Sequence, residues 1–252
     1  MMRFSANLGF LFTDRPLLEA VHLARETGFD AVELHWPYDT PAHALRRELG
    51  DLPLVSLNTV RGDLAQGEFG LAALPGRERA ARRSIDEALA YAAECGAENL
   101  HVMAGRAKGE AALAAFLGNL AYAVERAEPR GIRILIEPLN AFDAPGYFLD
   151  GLTLAERVAA AIASPALRIM FDCYHMARMG EDVEEAARRT MPRIGHIQFA
   201  GVPDRGEPDR GTLDYSHLLP ALRAAGYEGV FGAEYRPQSD SFDWLERFRR
   251  LA

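Results

Sequence analysis

Cysteine is nearly absent from this chain. Of its 252 residues only Cys95 and Cys173 carry a thiol, far apart and in no CxxC pattern. That argues against a disulfide framework or a zinc knuckle and makes a reducing cytoplasm the expected compartment. Long apolar runs are missing too. No stretch reaches the roughly 18 residues of a membrane span, and the opening Met1-Met2-Arg3-Phe4-Ser5-Ala6-Asn7 lacks the apolar segment of a signal peptide. Positive charge is in short supply: 28 Lys and Arg face 36 Asp and Glu, for a formal net charge of −8. Binding to a phosphate backbone rests on Lys and Arg, so nucleic acid is an unsuitable partner. No GxGxxG follows the first strand-like run, and neither a P-loop nor a GxSxG elbow is present. No Pro/Ser-rich or low-complexity break divides the chain.

What is present is a regular rhythm. Short apolar runs alternate with amphipathic stretches from end to end. The runs are Phe4 to Leu8, Ala31 to Leu34, Leu54 to Leu57, Asn99 to Met103, Arg133 to Ile136, Leu167 to Phe171, Ile194 to Phe199 and Val230 to Ala233. Runs that short, separated by helical periodicity, read as buried parallel strands. Helices are expected near 16–27, 41–49, 77–95, 110–128, 153–162, 183–189, 215–225 and 241–251. Several helices end on a glycine shortly before the next strand, as at Gly28, Gly96 and Gly226. Eight such units in a chain of this length predict a single α/β domain over 1–252, a (β/α)8 barrel. The competing fold is a doubly wound open sheet, whose usual fingerprint is missing.

Three carboxylates each close one of these apolar runs: Glu137 after Ile134-Leu135-Ile136, Asp172 after Ile169-Met170-Phe171, and Glu234 after Val230-Phe231-Gly232-Ala233. Gln198 closes a fourth, Ile194-Gly195-His196-Ile197. A charge at the end of a buried strand is costly unless it is paired or binds a metal. In a barrel these strand ends share one rim, where active sites lie. Glu137, Asp172, Gln198 and Glu234 therefore offer a divalent ion four oxygen ligands, a set that favours Mg²⁺ or Mn²⁺ over structural zinc. The plainer reading is that each acid caps a helix or pairs with an arginine, which accounts well for any one of them.

Asn7, Glu33, His35, Asn58 and His101 also fall at strand ends. His175 is expected to open the loop after strand six, within reach of substrate oxygens or simply as a surface histidine. His196 is expected one layer below Gln198. Arg205, in a long loop from 202 to 214, carries a guanidinium suited to a substrate carboxylate; a solvated loop charge is the alternative. A second long loop, 60–76, is a further candidate cover for the site. Trp36 and Phe12 either wall the pocket or pack in the core. Cys173 reads as packing.

Several segments, in order, resemble the hydroxypyruvate isomerase family of the xylose-isomerase-like barrels. They are Phe4-Ser5-Ala6-Asn7-Leu8, Leu74-Pro75-Gly76-Arg77-Glu78, Ile136-Glu137-Pro138-Leu139-Asn140, Phe171-Asp172-Cys173-Tyr174-His175-Met176, Gly195-His196-Ile197-Gln198, Arg205-Gly206-Glu207-Pro208 and Glu234-Tyr235. The resemblance implies a TIM barrel with a divalent metal on Glu137, Asp172, Gln198 and Glu234. It implies Glu137 and Glu234 as the acid/base pair and His175 and Arg205 as substrate contacts. Related ketose epimerases usually have His where this chain has Gln198, and often Glu where it has Asp143, which points away from sugar epimerisation. The expected activity is interconversion of hydroxypyruvate and tartronate semialdehyde, or of the 2-oxo- and 3-oxo-tetronate pair, through an enediolate. The expected partner is thus a small hydroxy-oxo acid, and assembly into a homo-oligomer is compatible with the sequence. The competing readings are a sugar or inositol-derivative isomerase or epimerase, a metal-dependent DNA-repair nuclease and a non-catalytic sugar-acid binding protein.

Overall fold

A computed structural model describes residues 1–251; Ala252, the last residue of the expected domain, lies outside them. Eight parallel strands close into a barrel in sequence order. They are β1 (Phe4–Asn7), β2 (Ala31–Glu33), β3 (Leu54–Asn58), β4 (Asn99–His101), β5 (Arg133–Ile136), β6 (Leu167–Asp172), β7 (Ile194–Phe199) and β8 (Phe231–Ala233). Strand β1 pairs with both β2 and β8, which completes the ring. The fold is a (β/α)8 barrel, as the alternation of runs predicts. Among the described residues no helix is long and apolar enough to cross a membrane.

The helices lie outside the ring: α1 (Leu17–Thr27), α2 (Ala42–Leu49), α3 (Glu78–Cys95), α4 (Glu110–Ala127), α5 (Leu152–Ile162), α6 (Cys173–Arg178), α7 (Val183–Thr190), α8 (Tyr215–Ala224) and α9 (Asp243–Arg249). Helices α1 and α3 stop where Gly28 and Gly96 take left-handed backbone at φ 96° and 75°, a conformation glycine reaches without steric cost. The closing helix α9 lays Trp244 edge-on against Phe4 and Phe199, at 5.5 and 5.6 Å. All three side chains are buried, and each phenylalanine contributes about 1.5–3 kcal/mol of apolar burial. The closing helix thereby packs across the seam of the ring onto β1 and β7.

Helix α6 differs from the sequence expectation. His175 does not open a loop; it lies in the first turn of a helix that starts directly from β6. Asp172 is the reason. Its Oδ1 accepts a hydrogen bond from the Tyr174 amide at 2.8 Å, so the last strand residue is also the helix cap. The four oxygen donors sit where the runs placed them. Glu137 and Glu234 follow β5 and β8 directly and Asp172 ends β6, but β7 continues through Phe199, so Gln198 lies inside the ladder opposite Asp172 and Gly232.

Candidate active site

Glu137, His175, Arg205 and Glu234 all line one cavity of about 160 Å³ at the C-terminal end of the barrel. That is below the 300–1,000 Å³ typical of drug-sized pockets. Phe10, His35, Trp36, Asn58, Phe69, His101 and Arg236 contribute to the same wall. Both long loops reach it, the 60–76 loop through Phe69 and the 202–214 loop through Arg205. Trp36 is a wall residue, whereas Phe12 stacks on Phe242 at 5.4 Å and packs. The aromatic wall from strand one is Phe10.

Glu234 is held from three directions. Asn7 Nδ2 donates to its Oε1 at 3.0 Å, and the His35 ring nitrogen lies 2.9 Å from the same atom. Arg205 Nη2 donates to Oε2 at 2.6 Å. Burial works against its charge, but Arg205 and His35 prevail and hold the carboxyl down at about 2. His35 fits because Gly9 has no side chain; a Cβ there would run into the imidazole.

Glu137 is the reverse case. Its Oε1 is buried with no hydrogen-bond partner, 3.8 Å from His175 Nε2, and its Oε2 lies 3.7 Å from His101 Nδ1. Burial, then the negative charges of Glu234 and Asp172, push its carboxyl well above the usual range. Asp172 is pushed up to about 7 by burial, against the pull of Arg205 at 3.1 Å. Three buried carboxylates thus share one guanidinium, and the pocket is short of positive charge.

Arg205 is 7% exposed, with its guanidinium over the rings of Phe10 and Tyr174 at 4.7 and 4.9 Å. The residue has left-handed backbone, φ 59°, a strained choice for a side chain of this size. The loop is fixed from outside. The Arg236 amide donates to the Arg205 carbonyl at 2.7 Å, and Glu207 Oε1 accepts from the Gln238 amide, the Ser239 amide and Ser239 Oγ at 2.8, 2.9 and 3.0 Å.

The donor set suits a hard cation. Glu137, Asp172 and His175 bring their ligand atoms within 4.8 Å of one another and are all buried. Among the described residues, the buried side-chain oxygens without a hydrogen-bond partner include Glu137 Oε1 and Gln198 Oε1, both from the four residues singled out in the sequence. Unpaired buried acceptors beside excess negative charge are what a divalent ion would satisfy. His175 is placed differently. Its Nδ1 accepts from the Asn140 amide and Nδ2 at 3.1 and 2.7 Å. Burial, reinforced by Arg205, holds its pKa down at about 3. A neutral ring that accepts at Nδ1 carries its hydrogen on Nε2, and Arg205 Nη1, itself only a donor, stands 3.3 Å from that nitrogen, so two donors face the same part of the cavity.

The model of the xylose isomerase-like TIM barrel matches residues 21–250. The chain belongs to that family. Within it, 2-oxo-tetronate isomerase of Cupriavidus necator is 40% identical, with 98% of this chain and 99% of that protein covered. Hydroxypyruvate isomerase of Escherichia coli is 34% identical over 99% and 100%. Such full-length likeness makes this member of the xylose isomerase-like family an isomerase. A crystal structure from Brucella melitensis described as AP endonuclease, family 2, superimposes with a TM-score of 0.94 at 38% identity, covering 98% of this chain and 99% of that one. The apo 3-keto-D-glucoside 4-epimerase of E. coli shares the fold, with a TM-score of 0.80 at 21% identity over 100% and 97% of the chains.

Reading the sequence left three wall or support residues without roles. Asn7 and His35 were placed at the rim, but nothing in a neutral side chain showed that both would meet Glu234. Arg236, two residues past Glu234, is exposed and looks like any surface arginine until the cavity is seen.

Proposed function

We propose that this enzyme interconverts a small 2-oxo acid bearing a neighbouring hydroxyl and its oxo isomer. The substrate is hydroxypyruvate or its four-carbon homologue 2-oxo-tetronate. The observation that carries this reading is that Glu137 and Glu234, from opposite ends of the β5–β8 arc, line one small cavity together with His175 and Arg205. One glutamate takes the proton from the hydroxyl-bearing carbon next to the carbonyl, which leaves an enediolate. The other returns a proton to the adjacent carbon, the hydroxyl proton passes to the former carbonyl oxygen, and the carbonyl has moved by one position. Glu137, Asp172, Gln198 and Glu234 would hold Mg²⁺ or Mn²⁺, which supplies Lewis-acid stabilisation of developing negative charge on oxygen.

The remaining residues orient the acid. His175 donates from Nε2 to a substrate oxygen. Arg205 has Nη2 committed to Asp172 and Glu234 and Nε to the Glu234 carbonyl, which leaves Nη1, 3.3 Å from His175 Nε2, to meet the substrate. Arg236 sits at the cavity wall with no side-chain ion pair among the described residues, so it is available to share the substrate carboxylate with Arg205 at the mouth. The two named relatives fit this reading, since their names specify these substrates.

The nuclease reading has less support. A multi-zinc centre needs several clusters of His and carboxylate, and among the described residues one group of three gathers closely enough. A small metabolite is the better match. The test is turnover followed by NMR in D₂O, with hydroxypyruvate and 2-oxo-tetronate compared after loading with Mn²⁺. Deuterium entering the product carbon supports proton transfer by the glutamates. No turnover of either acid, with ketose epimerisation instead, would replace this reading by the sugar-epimerase one.

A further inference from the structure

Beneath the rim lies an acid that the proposed chemistry does not use. Glu33 ends β2 and is fully buried. Its Oε1 accepts from Ser5 Oγ at 2.6 Å and its Oε2 from Gln198 Nε2 at 2.7 Å. His196 Nε2 stands 3.0 Å from Oε1, off the direction of a hydrogen bond. The partners come from β1 and β7, so Glu33 reaches across the barrel interior. Gly232 on β8 leaves it room: a Cβ there would strike Glu33 Oε1, His196 Nε2 and Gln198 Cγ.

The chemistry of this contact is one-sided. A carboxylate only accepts, while a glutamine amide has an oxygen end and a nitrogen end of nearly the same shape. By taking the nitrogen end, Glu33 fixes which way the Gln198 amide lies. The oxygen end is left buried and without a hydrogen-bond partner, next to Asp172 in the sheet register. A flipped amide would turn N–H groups to that same place, where they repel a cation.

We propose that Glu33 is a positioning residue whose carboxylate locks the Gln198 amide with its oxygen toward the metal site, and that Gly232 keeps the space this lock requires. The inference rests on the metal reading above and extends it to residues that never touch the ion. An amide becomes a dependable oxygen donor here only because a buried acid holds its other end.

The experiment is titration of the full-length protein with Mn²⁺ alone, with free ion counted by electron paramagnetic resonance. Melting in the presence of a chelator reports on folding separately. Glu33→Gln removes the acceptor-only end, because the NH₂ it introduces can face that of Gln198. Mn²⁺ affinity is expected to drop at least about tenfold, the scale seen when a partner of a metal ligand is removed. The double variant Glu33→Gln with Gln198→Glu exchanges the two groups: the amide introduced on β2 then donates to one oxygen of the carboxylate introduced on β7, and the other oxygen faces the ion. It is expected to recover affinity to within about threefold of the starting protein, and that rescue is one a merely structural role for Glu33 would not give. Unchanged Mn²⁺ binding in Glu33→Gln overturns the proposal, as does a double variant that folds yet binds no better than the single one. If Glu33→Gln fails to fold, the double variant alone decides. A starting protein that binds no Mn²⁺ removes the metal reading itself, which is a different result from a starting protein that binds and a Glu33→Gln variant that binds equally well.

Discussion

The two halves of the barrel rim bring different things to the cavity. Strands β5 to β8 supply Glu137, Asp172, Gln198 and Glu234, with Arg205 reaching in from the loop after β7. Strands β1 to β4 supply Asn7, His35, Asn58 and His101, all without formal charge unless a histidine is protonated. The charged half is short of hydrogen bonds: Glu137 Oε1 and Gln198 Oε1 have no partner. The neutral half makes them: Asn7 and His35 both meet Glu234. One half provides carboxylates in excess, and the other adds the hydrogen bonds that help keep one of them charged. Glu234 is held at about 2 against burial by Arg205 first and then by His35 of the neutral half, while Glu137 has no hydrogen bond from that half and is pushed up by burial and by the charges of Glu234 and Asp172.

The strongest way to break this comparison is to neutralise the charged half. Glu234→Gln or Glu137→Gln is expected to cut kcat by about 10³-fold with an unchanged melting temperature, within the range of general acid–base contributions. A variant of either kind that turned over normally would move the chemistry elsewhere. Removing the neutral half's support is expected to do less. His35→Ala should lower kcat about 10- to 100-fold, the worth of a hydrogen bond to a charged group, and should shift the acidic limb of the pH–rate profile upward. The sign follows from the contact: a donor favours the ionised carboxylate, so its loss raises the Glu234 pKa. A smaller effect is expected at the mouth. Arg236→Gln should raise KM for the acid about tenfold and leave kcat nearly unchanged, while a neutral triose of the same length shows no difference.

The smallest effect is in pH. Without a bound ion, Asp172 keeps its proton below about 7, and a cation must displace it. Protons compete below that value and not above it, so affinity is lost as pH falls. From this group alone Mn²⁺ should bind about fourfold more weakly at pH 6.5 than at pH 8. Calorimetry in two buffers of different ionisation enthalpy would show the released proton. Equal affinity at both pH values would mean that Asp172 is already ionised and that the charged half is better compensated than its contacts suggest.

The charged half was legible in the sequence and the neutral half largely was not. An acid closing an apolar strand is anomalous, because burying it alone is so costly, and the anomaly marks Glu137, Asp172 and Glu234 one by one. The barrel then followed from eight repeats of one rhythm. Asn7 and His35 carry no such cost, so nothing in their neighbourhood singles them out. Glu33 could be placed at a strand end but not in a contact with Gln198, 165 residues away; only closure of the ring brings β2 across from β7. Helix α6 escaped because it has six residues and no turn before it. The clue was Asp172 itself, which serves as cap with one oxygen and as site residue with the other.

The ties between the last two rim loops have a practical consequence. Arg205 and Arg236 are joined through backbone, and Glu207 clasps residues 238 and 239. Neither arginine can be relocated while its neighbour stays. An attempt to retarget this barrel to another acid by transplanting loops would need residues 201–211 and 235–240 as one cassette. Exchanging either segment alone would leave Glu207 or its three donors without a counterpart.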